Sequence, residues 1–144
     1  MASIKPNKYF VYNSELPNLP TDLKFIEPSK IKKIKNAKEI FILDLLDFTE
    51  TNEQVQICKN INESLHKDGV LFVQGVDIYG LSSAVLNNQI DIQTYNNLVF
   101  SPYKFRISTM GNIITLLKEA GFVVLEAKFI NGVQYSIKCG KQNV

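Results

Sequence analysis

Leu65-His-Lys-Asp-Gly-Val-Leu-Phe-Val73, read together with Ile40-Phe-Ile-Leu-Asp-Leu-Leu-Asp-Phe48, decides how this chain of 144 residues folds. The later stretch reads as a helix end, a stop at Lys67-Asp68-Gly69 and a buried strand over Val70–Val76. The earlier one reads as a strand over Glu39–Asp47, whose unbroken apolar run suits burial on both faces, as in a parallel sheet. Between them Val55, Cys58, Ile61 and Leu65 recur at three- and four-residue spacing and give a helix one apolar stripe. Thr49 or Thr51 can cap that helix, with Glu53 or Gln54 near its third position. Strand, helix and strand in this order make the repeating unit of an α/β domain.

The pattern extends in both directions. Upstream, Lys8–Asn13 is β-branched and aromatic and reads as a strand. Pro17 and Pro20 hold the next segment extended or turning. Leu23–Glu27 reads as a short second strand closed by Pro28, and Ser29 can cap a helix over Lys30–Ala37 with Ile31 and Ile34 on one face. Downstream, Leu81–Leu98 is rich in asparagine and glutamine and suits one or two short helices. Ser108 or Thr109 caps a helix over Asn112–Ala120, ended by Gly121. Phe122–Ile130 and Val133–Cys139 then form a hairpin through Asn131-Gly132, a pair that tolerates positive φ at both positions.

Composition narrows the class. The chain is 45% hydrophobic and 21% charged, with a net charge of +2, too small to argue by itself for nucleic acid or an anionic membrane. Its length suits one domain spanning residues 1–144. Cys58 and Cys139 lie in no metal-spaced pattern and read as buried thiols of a reducing compartment. No apolar run reaches the roughly 18 residues of a membrane span, and no signal peptide opens the chain, so a cytoplasmic protein is expected.

Three motifs carry a family likeness. Leu65-His-Lys-Asp-Gly-Val-Leu-Phe-Val73 resembles the "L-k-P-G-G-x-l-x-i" turn and strand of class I S-adenosylmethionine-dependent methyltransferases. Leu43-Asp-Leu-Leu-Asp-Phe48 resembles the end of their preceding strand, and Leu116-Leu-Lys-Glu-Ala-Gly-Phe122 is similar to their "L-L-x-x-a-G-F". The resemblance covers roughly residues 39–140. It implies a three-layer Rossmann-like α/β domain, mostly parallel, that ends in an antiparallel C-terminal hairpin. The N-terminal side departs from the family. Phe10-Val-Tyr-Asn-Ser-Glu15 fits its first strand and turn, but Asn13-Ser14-Glu15 stand where the family has glycines. The first glycine of the chain is Gly69. Glu27 falls at the acidic position that would hold the ribose hydroxyls. Too few residues separate Glu27 from Ile40 for the strand that usually supplies adenine contacts, so the domain reads as trimmed on its N-terminal side.

If a cofactor binds, the resemblance implies S-adenosylmethionine held by Asn13, Ser14, Glu27, Asp44 and Asp47, near the ends of strands where open α/β sheets place ligands. The altered turn favours the other reading, a catalytically inactive domain without cofactor that serves as a binding or assembly module. Asp77 occupies a further crevice position, where aspartate commonly caps the following turn. His66, the sole histidine, suits a helix C-terminus rather than a metal. Lys30, Lys32, Lys33, Lys35 and Lys38 read as a solvated face, and nucleic acid is not expected as a partner. Tyr95, Phe100, Tyr103 and Phe105 lie where methyltransferases of this shape close over substrate. Without such a ligand they would leave an apolar patch, so a homodimer with Phe100 and Tyr103 at its interface is expected.

Overall fold

The computed structural model describes residues 8–11, 24–43, 45–100 and 108–142. In chain order its elements are β1 (Lys8–Val11), β2 (Lys24–Ile26), a 3-10 helix (Pro28–Lys33), β3 (Ala37–Leu43) and a second 3-10 helix (Leu45–Phe48). Then come α1 (Thr51–Ser64), β4 (Leu65–Val76), α2 (Ile78–Leu86), α3 (Ile92–Val99), α4 (Met110–Glu119), β5 (Phe122–Ile130) and β6 (Gln134–Lys141). All six strands join one sheet in the order β2-β1-β3-β4-β6-β5. The first four are parallel, and β6 lies antiparallel between β4 and β5. This is the mostly parallel α/β sheet with a reversed hairpin that the sequence implied.

The pleat sorts the side chains. Ile40 and Ile42 on β3, Leu71 and Val73 on β4, and Tyr135, Ile137 and Cys139 on β6 point to one face. There they form a single core with Cys58 and Ile61 of α1, Ile113 and Leu117 of α4, and Ile31. The register seats Leu71 beside Cys139 and Val73 beside Ile137. Each fully buried aliphatic side chain contributes about 1.5–3 kcal/mol relative to exposure. The alternate positions are only half-buried, and there Phe41 stacks on Phe72 with ring centroids 4.7 Å apart. The expected burial of β3 on both faces is therefore corrected to burial on one. Ser64 Oγ donates to the Ile31 carbonyl at 2.9 Å and ties the end of α1 to the first 3-10 helix.

Several boundaries differ from the expectation, each for a local reason. β3 stops at Leu43, not Asp47, because the chain turns into the second 3-10 helix. Thr49 and Gln54 serve that turn instead of capping α1: Thr49 Oγ1 donates to the Leu45 carbonyl at 2.7 Å and Gln54 Nε2 to the Leu46 carbonyl at 2.8 Å. The residue before α1 is Glu50, whose side chain makes no cap bond. α1 ends at Ser64, so His66 and Gly69 lie in β4, not at a helix terminus. Gly69 answers a close approach, since a Cβ there would sit 2.7 Å from the Ala37 carbonyl oxygen. His66 Nδ1 accepts from the Asp68 amide at 3.1 Å and shapes the register shift opposite Lys38. The segment read as a helix over Lys30–Ala37 is a 3-10 helix over Pro28–Lys33, where three-residue spacing buries Ile31. Asn36 at φ 56° then turns the chain into β3. Asn131 and Gly132 take the positive φ read for them, at 51° and 78°, but the loop has three residues, Asn131–Val133, and β6 starts at Gln134.

Gly80 of α2 packs against the hairpin turn, and a Cβ there would strike the Gly132 carbonyl. At Gly111 in α4 the nearest such neighbour is Thr109 Oγ1 at 3.9 Å. Gly80→Ala should therefore lose about 1–3 kcal/mol to overpacking. Gly111→Ala should gain about 0.5–1 kcal/mol from a stiffer unfolded chain. Urea denaturation of the two variants checks the opposite signs. Cys58 and Cys139 are free and buried. Burial, and then the neighbouring Cys139, push the Cys58 thiol up to about 12, and burial pushes Cys139 up to about 12. Unfolded thiols ionise near pH ~8.5, so their share of stability is constant below that pH and falls as pH rises toward about 12. A chromogenic disulfide reagent at pH 8 should label neither thiol in the native protein and both in urea.

Candidate functional site

Register fixes the rim of the sheet where ligands of this architecture bind. Val11, Ile26, Ile42 and Val73 lie level across β1, β2, β3 and β4, and β4 runs on to Val76. Glu27 follows β2 directly, so it reaches the strand end expected of a ribose-holding acid. There its carbonyl accepts from the Lys30 amide at 2.9 Å as the cap of the 3-10 helix. Its carboxylate is exposed, with Lys30 Nζ 4.0 Å away. Asp47 falls in the second 3-10 helix rather than on a strand. Asn13, Ser14, Asp44, Tyr103 and Phe105 lie outside the described residues.

The connection from Glu27 to Asn36 is described throughout, and it holds a 3-10 helix and no strand. Among the described residues β2 is the terminal strand of the sheet. The strand that supplies adenine contacts in the resembled family has no counterpart at this place. Of the five residues named for S-adenosylmethionine, the described ones are Glu27, exposed past the end of β2, and Asp47, in the second 3-10 helix. The lysines Lys30, Lys32, Lys33, Lys35 and Lys38 are all exposed, while Ile31 and Ile34 between them are buried.

Beyond β4 the rim is built differently. Asp77 is 2% exposed. Its Oδ2 accepts from the Gly80 amide at 2.9 Å, which caps α2, and its Oδ1 accepts from the Met110 amide at 2.7 Å, at the start of α4. Its own amide donates to the Val133 carbonyl at 2.9 Å in the hairpin turn, and the Ile78 amide donates to Ser108 at 3.1 Å. The capping reading of Asp77 holds, and the second helix terminus on the same carboxylate is an addition that sequence spacing could not show.

Beside Asp77 opens a cleft of about 580 Å³ between α2, α3 and the hairpin turn. Val76, Ala84, Ile90, Leu98 and Val133 form its apolar wall, and Gln89, Asn131 and Gln134 add amides. Asn131 Oδ1 accepts from the Val133 and Gln134 amides at 3.3 Å each, which fixes the turn that floors it. No charged side chain is among the described residues that line it. Such a surface suits an uncharged ligand with a flat apolar body and a few hydrogen-bonding groups. Around it the outer surfaces of α2 and α3 expose Tyr79, Leu86, Ile92 and Phe100, the last at 75%. Sequence reading took Gln89 and its neighbours as a polar connection and missed the cleft; the usable signal was the recurrence of amides in Leu81–Leu98 and again at the hairpin turn. Among the described residues no group of His, Cys, Asp or Glu is arranged to hold a metal, and no helix is long and apolar enough to cross a membrane.

Asp77→Ala leaves two helix termini without their shared acceptor, so it should cost about 2–4 kcal/mol, with each charge-assisted bond worth about 1.5–3 kcal/mol. Asp77→Asn, which keeps one acceptor oxygen, should lose roughly half as much. Chemical denaturation of both variants checks the order.

No family model and no curated protein sequence matches the chain. Solved structures do. N,N-8-amino-8-demethyl-D-riboflavin dimethyltransferase (RosA) from Streptomyces davawensis superposes with a TM-score of 0.62 at 14% identity, over 84% of this chain and 35% of that one. A TehB-like SAM-dependent methyltransferase from Corynebacterium glutamicum gives 0.55 at 9% identity, over 84% and 58%. The LepI complex with SAM gives 0.57 at 11% identity, over 86% and 32%. The chain thus spans between about a third and three fifths of the length of these proteins. The sheet order, the reversed hairpin and these superpositions agree: the chain has the fold of class I S-adenosylmethionine-dependent methyltransferases, and among the described residues no strand lies beyond β2.

Proposed function

We propose that this chain is a degenerate methyltransferase-like domain that transfers no methyl group and works as a binding or assembly module. The observation that carries the reading is the connection Glu27–Asn36. It replaces a helix-and-strand crossover by one 3-10 helix and leaves β2 at the edge of the sheet. Among the described residues an adenosine placed past β2 would meet the exposed Glu27 carboxylate and no strand. The surface retained for binding is the uncharged cleft past β4. The exposed lysines form a solvated face, so DNA and RNA are not retained at physiological salt, and the buried free thiols suit a reducing, cytoplasmic setting.

A second reading rests on Glu27. It stands at the end of β2 as the family's acidic residue does, and LepI, of like fold, was solved with SAM. On that reading the chain is a divergent S-adenosylmethionine-dependent methyltransferase. Methyl transfer depends largely on positioning cofactor and acceptor, so an unusual pocket suffices if it orients both.

Titration calorimetry with S-adenosylmethionine separates the two. The module reading expects a dissociation constant weaker than about 1 mM. Micromolar affinity that falls at least tenfold in Glu27→Ala would overturn it in favour of the enzyme.

A further inference from the structure

We infer that β5 is the interface between two copies of this chain, paired antiparallel to itself across a two-fold axis at Ala127. The inference deepens the assembly half of the module reading and rests on it. β5 is the terminal strand on the hairpin side of the sheet, nine residues long, and its outer edge pairs with no strand among the described residues. It carries exposed Val123, Leu125 and Phe129 at 43%, 58% and 52%. A long apolar edge of this kind is a template for another strand, and natural sheets either blunt it or cover it.

The strand's own sequence says what covers it. A two-fold axis at Ala127 sets each Glu126 opposite Lys128 of the second copy and each Lys128 opposite Glu126. Glu126 and Lys128 already lie on one face of the strand, with Oε1 and Nζ 3.4 Å apart. The pairing would extend that single contact into an alternating row of four charges. Shifting the axis by one residue either way would oppose Glu126 to Glu126 or Lys128 to Lys128, which like-charge repulsion across strands disfavours. One register alone is self-complementary, as an isologous interface requires. The register shift between Val124 and Glu126 bounds the ladder and keeps it short. The opposite end of the sheet is β2, three residues long, too short to propagate pairing into a fibre. The assembly therefore closes at two copies.

Sedimentation velocity and light scattering from low to high micromolar protein test this. The wild type should form a dimer of the 16.3 kDa chain. Glu126→Lys and Lys128→Glu each create two like-charge oppositions and should each weaken the dimer at least about tenfold. The double variant Glu126→Lys/Lys128→Glu should restore it. The two single variants mixed should form a heterodimer, since one then presents two lysines and the other two glutamates. Restoration and heterodimer formation also establish that the single variants are folded. A wild-type monomer, open-ended oligomers, single variants that dimerise as the wild type does, or a double variant that stays monomeric would each overturn the inference. None of these outcomes bears on the calorimetric test of the cofactor, so the two readings fail separately.

Discussion

One carboxylate holds the hairpin half of this molecule together. Asp77 stands just past the longest strand, and the amino ends of α2 and α4 both converge on it. A helix terminus leaves amides without partners and carries a partial positive charge, so an anion there is stabilised by both effects. Two termini on one acid make the placement mutual: α2 cannot shift along the sheet without pulling the carboxylate from α4. The Asp77 amide adds a third tie, to the Val133 carbonyl. The close packing of Gly80 against Gly132 depends on that geometry, because a glycine is needed only where the helix lies this near the turn.

The consequence reaches the cleft. Its walls come from α2, α3 and the hairpin, and the first and last of these are positioned by Asp77. Its amides are positioned in turn by the Asn131 side chain, which accepts from two turn amides. This part of the protein is therefore preorganised, which lowers the ordering cost that a ligand would otherwise have to offset. Among the described residues nothing comparable supports the opposite end of the sheet. There β1 and β2 have four and three residues, and Glu27 meets only an exposed lysine. The resembled family places its cofactor at that end.

The fold was legible wherever local chemistry and tertiary structure agree. The apolar stripe of α1, the positive φ of Asn131 and Gly132 and the run Leu116–Phe122 each have one physical solution, and the structure adopts it. Legibility failed where a residue serves a distant partner. Gly69 looks like a helix stop in sequence, yet its reason is the Ala37 carbonyl across the sheet. Thr49 and Gln54 look like a capping box, yet they satisfy carbonyls of the 3-10 helix behind them. The shortened connection after Glu27 could be read by counting residues. The cleft could not, because its lining comes from four segments that only the folded chain brings together.

Losing a strand from one end of a parallel sheet has a structural cost that this chain meets by different means at its two edges. On the trimmed side the edge is simply short, and a three-residue strand offers little for another chain to pair with. On the other side the hairpin cannot be shortened in the same way. Phe122 and Val124 anchor β5 to the core and to α4, and β6 between β5 and β4 supplies Tyr135, Ile137 and Cys139 to the core itself. A full-length β5 is thus imposed by packing, and with it an edge that must be protected by charge, by its bulge or by a partner. The sequence places an acid and a base two residues apart at the middle of that strand. In the proposed pairing that arrangement would repel a mispaired copy and attract a matched one, so a single pair of charges would both guard the edge and specify what joins it.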